Sequence, residues 1–323
     1  MNSAAMIWAI AYVWDRVAGD PRWLPHPVVM IGRCISKLEG VLRRLAKREE
    51  QLKLLGILLP VLIVGGAFTV TWGLIRLLHA VHPWLAWGME ALFIGTTIAV
   101  KGLQDAGMGV YRKLAAGDIE GGRHEVGMIV GRDTDQLDEP EIVRATVETV
   151  AENIVDAVIS PLFYALIGGA PLAMAYRAVN TLDSMVGYKN DKYRNLGWAS
   201  ARLDDAANWI PARLTALLIA LAAWLFRAGD AASALRMARR DAGKHPSPNS
   251  GWPEAAAAGA LHVRLGGYNV YKGVRSFRAY MGEPRETLAA RHIPAACRLL
   301  RGSSLLFAAA GLAVLLARGG WLL

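Results

Sequence analysis

Residues 54–75 read LLGILLPVLIVGGAFTVTWGLI, 22 residues without a charged side chain. About 20 apolar residues are what an α-helix needs to cross the hydrocarbon core of a bilayer, so this stretch decides the class of fold. A second run, Leu77 to Val100, follows almost at once and is broken only by Glu90; His79, His82 and Pro83 mark a tight hairpin between the two. Ala157 to Tyr176 is uncharged for 20 residues, Leu214 to Phe226 for 13 and Gly302 to Ala317 for 16. The 13-residue run extends back through Trp209 if Arg213 snorkels or is buried, and both shorter runs also suit a buried or re-entrant helix. Near the start, Ala4 to Trp14 runs into Asp15, Arg16, Gly19, Asp20 and Pro21 with no basic leader. It reads as a short mature helix ending at the membrane surface rather than a cleavable signal.

The whole chain agrees. Of 323 residues, 54% are hydrophobic and 20% charged, with 33 glycines and 11 tryptophans, and the mean hydropathy is +0.28. That is too apolar for an ordinary soluble domain and too charged for a bare bundle of spans. Cys34 and Cys297 lie in no CxxC or Cys/His spacing, which excludes a disulfide framework. The expected fold is an all-α, polytopic integral membrane protein, with about four to five spans plus cytoplasmic helices and loops. It forms one domain over 1–323, and the polar segments 102–157, 180–208 and 229–302 carry the site.

Segment 33–53 holds seven Lys/Arg against three acids, and segment 227–302 thirteen against five. Both read as cytoplasmic, on an inner cell membrane. The net charge of +9 therefore sits largely beside spans, where anionic lipid attracts it. No pattern for nucleic-acid binding is present.

The acids are elsewhere. Segment 102–157 has twelve of the 27 acids and five basic residues. Asp118, Glu120, Glu125, Asp138, Glu139 and Glu141 read as a solvated surface. From Ile142, just after Pro140, the pattern turns helical and places Glu148, Glu152 and Asp156 on one stripe. Like charges on one face repel, so the stripe needs a reason, and it leads Asp156 to the membrane interface, where an ionisable group is a functional candidate. Gly168-Gly169-Ala170-Pro171 breaks the helix. If that is a hairpin tip, Asp156 and Asp183 sit at one depth, about 18 Å from it at 1.5 Å per residue. Asn180 and Asp183 share a face, and Arg177 lies one turn further in, able to neutralise a phosphate or an acid. Carboxylates with a nearby Asn suit Mg²⁺; the same residues also suit a polar clamp between helices.

Three more clusters are polar. Arg202, Asp204, Asp205 and Asn208 precede the 13-residue run. His245-Pro246-Ser247-Pro248-Asn249-Ser250-Gly251-Trp252-Pro253-Glu254 is helix-start chemistry, whose free N–H groups can also hold phosphate. Gly131-Arg132-Asp133-Thr134 is a turn with an Arg fork for phosphate or carboxylate and an Asp for metal. No Walker A, GxGxxG or GxSxG motif occurs, so any nucleotide site is unconventional.

These motifs together resemble the CbiB/CobD family. The residues that carry the resemblance are Asp15…Gly19-Asp20-Pro21, His26-Pro27-Val28…Gly32, Gly131 to Thr134, Glu148…Glu152-Asn153…Asp156, Asn180 to Tyr188, Asp204-Asp205…Asn208…Pro211-Ala212-Arg213 and His245 to Ala255. They run in order from about residue 13 to 281, and the tail from Arg285 is the least family-like part. The resemblance implies an adenosylcobinamide-phosphate synthase of cobalamin biosynthesis. Such an enzyme is a membrane-embedded ligase that uses ATP and Mg²⁺ to join adenosylcobyric acid, through an amide bond, to aminopropanol or its O-phosphate.

On that scheme Glu152, Asp156, Asp183 and Asp204 hold Mg²⁺, and His245 or Asp205 takes the proton from the attacking amine. Arg132, Arg177, Arg202 and Arg213 meet phosphates or corrinoid carboxylates. Asp133, Thr134, Asn153, Asn180, Asn208, Ser247, Asn249 and Ser250 complete the binding set. The implied partners are the corrinoid, the amine, ATP, the lipid bilayer and other cobalamin-assembly membrane enzymes, with no nucleic acid; the oligomeric state stays open. Read from the residues alone, other classes also stay open. A membrane-embedded Mg²⁺-dependent phosphotransferase would carry a tight DxxDD signature, which is missing. A transporter would carry internal repeats, also missing. A corrinoid-binding protein without catalysis would bind and release no ADP.

Overall fold

The computed structural model describes residues 2–19 and 26–322, so Asp20 and Pro21 of the N-terminal motif lie outside the described residues. In chain order the helices are α1 (Ser3–Val17), α2 (Pro27–Leu45), α3 (Glu49–Gly56), α4 (Leu58–Val81), α5 (Pro83–Thr97), α6 (Val100–Ala115) and α7 (Ile119–Gly127). They continue with α8 (Glu139–Ile154), α9 (Ser160–Val186), α10 (Trp198–Ala207), α11 (Trp209–Leu225), α12 (Ala231–Asp241), α13 (Gly251–Ala260) and α14 (His292–Arg318). Strands β1 (Arg264–Tyr271) and β2 (Val274–Gly282) form an antiparallel hairpin inside the basic C-terminal segment. An otherwise all-α expectation thus gains one small sheet.

The apolar runs become long helices. Glu49–Val81, Pro83–Ala115, Glu139–Val186 and His292–Arg318 are each long and apolar enough to cross a membrane, and α10 with α11 makes a fifth candidate as a bent pair. The first has a mean hydropathy of 2.3, yet only 28% of its apolar window is buried. Val61, Leu62, Val70, Leu77 and Val81 are left exposed. Apolar surface on that scale is costly in water and favourable in lipid. The protein is a multi-pass membrane protein.

The punctuation is local. His82 ends α4, and its Nδ1 accepts the Trp84 N–H to open α5 with Pro83 in the first turn. Asp138 caps α8 through the Glu141 N–H, with Pro140 following. After Ile154 one π-helical turn, Val155–Ile159, intervenes before α9. Asp156 lies within this turn, and such turns recur at functional sites.

Two compact units emerge, each assembled from separated segments. The first comprises Met1–Ala99, Ser160–Asn208 and Ala308–Leu323. In it α4, α5 and α9 pack together with α1 against α5, and α2 and α10 lie on α9. Its core includes Ile35, Leu42, Leu59, Ala178, Leu182 and Leu196. The Trp8 indole N–H donates to the Ala308 carbonyl at 2.9 Å, tying α1 to the end of α14. The second unit comprises Val100–Ile159 and Trp209–Phe307. There α6, α7 and α8 form one packed set, α11, α12 and α13 another, and α13 joins α8 and the hairpin.

The expected interruption of α9 is real. Gly168 (φ −145°, ψ 35°) and Gly169 (φ +61°, ψ −155°) leave helical geometry, and Pro171 follows. Glu90 of α5 reaches this break, accepting the Ala170 N–H at 3.4 Å. A Cβ on Gly169 would lie 2.4 Å from the Glu90 Oε1 atom. The residue must therefore be glycine both for its positive φ and for room. Gly169→Ala should cost roughly 1–3 kcal/mol through backbone strain and a displaced carboxylate. A thermal melt of the purified variant in detergent, unchanged from wild type, would contradict this.

Candidate functional site

The second unit is organised around Glu148. The Arg132 guanidinium bonds one carboxylate oxygen, and Arg144 Nη1 bonds the other at 3.0 Å. That second oxygen also accepts the Gly266 N–H at 2.8 Å. Asn269 Oδ1 bridges the two guanidinium groups, at 2.6 Å from Arg132 and 3.0 Å from Arg144. All four side chains are buried. The stripe thus has its reason: the first carboxylate is neutralised inside the protein. Arg132, expected at a phosphate, has its guanidinium engaged with Glu148 and Asn269.

The hairpin is held over this network from three sides. Gly266 sits at a bulge with φ +86°, the conformation that turns its N–H toward Glu148. Asp133 accepts the Lys272 N–H at 3.0 Å and the Gly273 N–H at 2.8 Å. Lys272 and Gly273 both have positive φ, +51° and +78°, the two-residue turn that matches strand twist. Asp133 therefore fastens a turn, and Thr134 packs on Gly127. At the far end the Asp241 carboxylate accepts the Gly282 N–H at 2.7 Å and pairs with Arg240 and Lys244.

One turn along α8, Glu152 Oε1 accepts the Ser250 hydroxyl at 3.0 Å. Ser250 belongs to a compact loop. Ser247 Oγ accepts the backbone N–H groups of Asn249 (3.2 Å) and Ser250 (3.3 Å), and the Ser247 N–H lies 3.0 Å from His245 Nδ1. The His245 Nε2 atom faces Glu254 Oε1 at 3.5 Å, with side chains only 6% and 1% exposed. Neither of these two atoms has a hydrogen-bond partner. Arg278 of β2 bonds the Tyr271 hydroxyl at 3.2 Å and acts electrostatically on Glu254, Glu152 and Glu148. Burial first, then the charges of Glu152 and Glu148, push the Glu254 carboxyl well above the usual range, against the pull of Arg278 and Arg132. Burial also lowers the His245 imidazole, opposed by the Glu152 charge. In the same unit the Arg213 guanidinium stacks over Trp209 at 4.2 Å and Trp252 at 5.0 Å. The Asn153 amide donates to the Thr149 carbonyl at 2.9 Å.

The first unit holds the other expected residues. Asn208 is buried; its Oδ1 accepts the Ser160 hydroxyl at 2.6 Å and the Tyr176 hydroxyl at 2.9 Å, and its amide donates to Asp204 at 3.0 Å. That is a polar clamp between helices. Arg177 donates to Asn180 at 3.3 Å, and the half-buried Asp183 lies against Gly187, where a Cβ would meet its Oδ1 at 2.0 Å. Arg202 pairs with Asp205 at 3.0 Å on the surface. Glu152 and Asp156 therefore belong to one unit, and Asp183 and Asp204 to the other.

Among the described residues no group of three or more His, Cys, Asp and Glu side chains is arranged to hold a metal ion. Mg²⁺ asks for less, one or two carboxylates completed by water and phosphate oxygens, and half-buried Glu152 and Asp156 have the right donor chemistry. Sequence reasoning missed Arg144, Glu254, Asn269 and Arg278. Arg144 stands at i−4 from Glu148, the one spacing signal available.

Fold and site define a multi-pass helical membrane protein with a buried, charge-dense polar cluster. The family model described as CobD/Cbib protein matches residues 8–300, and the chain belongs to that family. Among its relatives is the cobalamin biosynthesis protein CobD of Klebsiella pneumoniae, 50% identical over 295 residues, which are 91% of this chain and 92% of the relative. The protein of the same name from Photorhabdus laumondii is 48% identical over 293 residues, covering 91% and 92%. The cobalamin biosynthesis protein CbiB of Salmonella arizonae is 45% identical over 317 residues, 98% of each. No solved structure matches the chain.

Two outcomes follow for this scaffold. Glu148→Gln leaves two buried guanidinium groups without their counter-charge and should lower stability by about 3–5 kcal/mol; equal unfolding midpoints for wild type and variant would contradict it. For Asp241, burial raises the carboxyl, but Arg240, Lys244 and the Gly282 N–H outweigh it and hold it at about 2, below the ordinary 3.8. A depressed folded value means stability present above about pH 4 and lost as pH falls through about 2. Wild type should exceed Asp241→Asn by about 2 kcal/mol at pH 7, and unfolding curves taken down to pH 2 should show the gap closing.

Proposed function

We propose that this protein takes part in cobalamin biosynthesis as a ligase, joining adenosylcobyric acid to aminopropanol or its O-phosphate through an amide bond. The observation that carries the reading is the polar cluster of Glu152, Ser250, His245, Glu254 and Arg278 in a chain of this family. A carboxylate must be activated before an amine can displace anything from it, and an acyl phosphate formed from ATP does so. Developing charge on the phosphoryl group then needs cations. Mg²⁺ supplies such a charge when bound; Glu152 and Asp156 are the oxygen donors offered to it in the second unit. Asp183 and Asp204 have the same chemistry in the first. Arg177, Arg202 and Arg213 are the guanidinium groups proposed for phosphates or corrinoid carboxylates. Asn153, Asn180, Ser247 and Asn249 supply hydrogen bonds. The reaction is assigned to the cytoplasmic face of the inner membrane, on the strength of the basic segments.

The test is purified protein in detergent with adenosylcobyric acid, Mg²⁺, ATP and either aminopropanol or its phosphate. Amide product together with ADP is expected, and the better of the two amines names the substrate. Phosphorylated alcohol without amide, or corrinoid binding without ADP, would replace this reading.

A further inference from the structure

The uncharged run that starts at Leu54 is preceded by Glu49-Glu50-Gln51-Leu52-Lys53, so charged side chains stand directly at the head of the first span. Helical spacing sorts them by face. Leu52 and Gly56 are buried, whereas Glu49, Glu50, Lys53, Leu54 and Ile57 share the other side of α3 and are exposed. Gly56 lets the α3 backbone lie against the loop before α10, since a Cβ there would stand 2.3 Å from the Leu196 carbonyl oxygen. Beside that contact the Asn195 amide donates to Glu49 at 2.7 Å, and the Lys53 ammonium lies 4.9 Å from the centre of the Trp198 ring. An open cavity of about 600 Å³ is lined by the exposed face of α3 together with Asn195 and Trp198. Ligand pockets commonly run to about 300–1,000 Å³.

The cavity is divided at the same place as the chain. Its polar end is Glu49, Glu50, Lys53 and Asn195; its apolar end is Leu54 and Ile57, which lead on to the exposed Leu58 and Val61 of α4. From Glu50 to Leu54 the helix rises about 6 Å at 1.5 Å per residue. That matches the polar layer on one side of a bilayer, about 5–7 Å thick. Trp198 supplies the kind of ring that settles at headgroup level.

We propose that this cavity binds a phospholipid whose headgroup carries a primary ammonium, of the ethanolamine type. The headgroup N–H donors meet the Glu49 and Glu50 carboxylates, the phosphate meets the Lys53 ammonium, and an acyl chain follows Leu54, Ile57 and Val61. Two carboxylates against one ammonium disfavour a headgroup that is only anionic. A choline head keeps its positive charge but has no N–H to donate. Segment 33–53 as a whole, with seven Lys/Arg against three acids, draws anionic lipid without choosing a site; the acids inside the cavity choose otherwise. The site lies within the first unit and does not depend on the ligase reading.

The experiment titrates full-length protein, stripped of lipid in detergent, with ethanolamine, choline and glycerol phospholipids of identical acyl chains. Native mass spectrometry counts the bound lipid, and melting curves report stabilisation. One saturable ethanolamine phospholipid is expected, bound about tenfold tighter than either of the others, the worth of a charge-assisted hydrogen bond. Glu50→Gln and Lys53→Gln should each remove most of that preference, whereas Lys37→Gln, on the same basic segment outside the cavity, should leave it unchanged. These side chains are exposed, so the lipid-free variants should melt with wild type. Soluble O-phosphoethanolamine in excess should not displace the lipid. Equal, unsaturable binding of all three lipids, or preference for the glycerol lipid, would overturn the proposal. So would a full ethanolamine preference in both cavity variants. Displacement by O-phosphoethanolamine would assign the cavity to a soluble amino-alcohol phosphate and overturn the lipid assignment.

Discussion

Two guanidinium groups and one backbone N–H close on the Glu148 carboxylate, and much of the second unit depends on that closure. The partners come from far apart in sequence: Arg132 from the turn before α8, Arg144 from α8 itself and Gly266 from the hairpin. A buried ion cluster of this kind offers little net stability over an apolar replacement, yet removal of one member is severe because the others remain buried and charged. Its consequence is geometric. The hairpin cannot leave α8 without taking the Gly266 N–H from Glu148 and the Asn269 bridge from both guanidinium groups, and with the hairpin goes Arg278, whose charge acts on Glu152 and Glu254.

The membrane part follows a different rule. Spans such as Glu49–Val81 expose apolar side chains outward, and their backbone polar groups are satisfied within each helix. Where the ladder is interrupted, at Gly168 and Gly169, a carboxylate from α5 meets the freed Ala170 N–H. The same need explains Asn208, whose amide and carbonyl meet Ser160, Tyr176 and Asp204 in the interior of the first unit. Polar residues in both places satisfy one another.

What could be read from the chain was what local physics controls. Runs such as Leu54 to Ile75 and the Gly168–Pro171 break show themselves within one window, because hydropathy and backbone freedom are properties of neighbouring residues. The turn at His82 and Pro83 and the start of α8 at Pro140 are local for the same reason. The hairpin escaped because Arg264 to Gly282 carries no strict alternation: four arginines and lysines and two adjacent glycines mask it. Its register is set by Asp133, Glu148 and Asp241, up to 140 residues away. Glu254 was legible as part of a helix start and illegible as a partner of His245, since nothing in Pro253-Glu254-Ala255 shows that α13 turns that side chain inward. Ser250 could be named as a polar loop residue, but its bond to Glu152 spans 98 positions and is a fact of packing.

Three glutamates on α8 and α13 therefore lie in one polar cluster under three different constraints. Glu148 is surrounded by donors and has no freedom left. Glu152 gives one oxygen to Ser250 and remains half-buried. Glu254 is fully enclosed, faces the His245 imidazole edge and is pressed by the charges of Glu152 and Glu148 against the pull of Arg278 and Arg132. Carboxyl groups that share a cluster but not an environment differ in how firmly each holds its proton. The sequence stripe of acids looked like a repulsion to be explained. Its resolution is that the second unit gives the acids of α8 different partners, two guanidinium groups for Glu148 and a serine hydroxyl for Glu152.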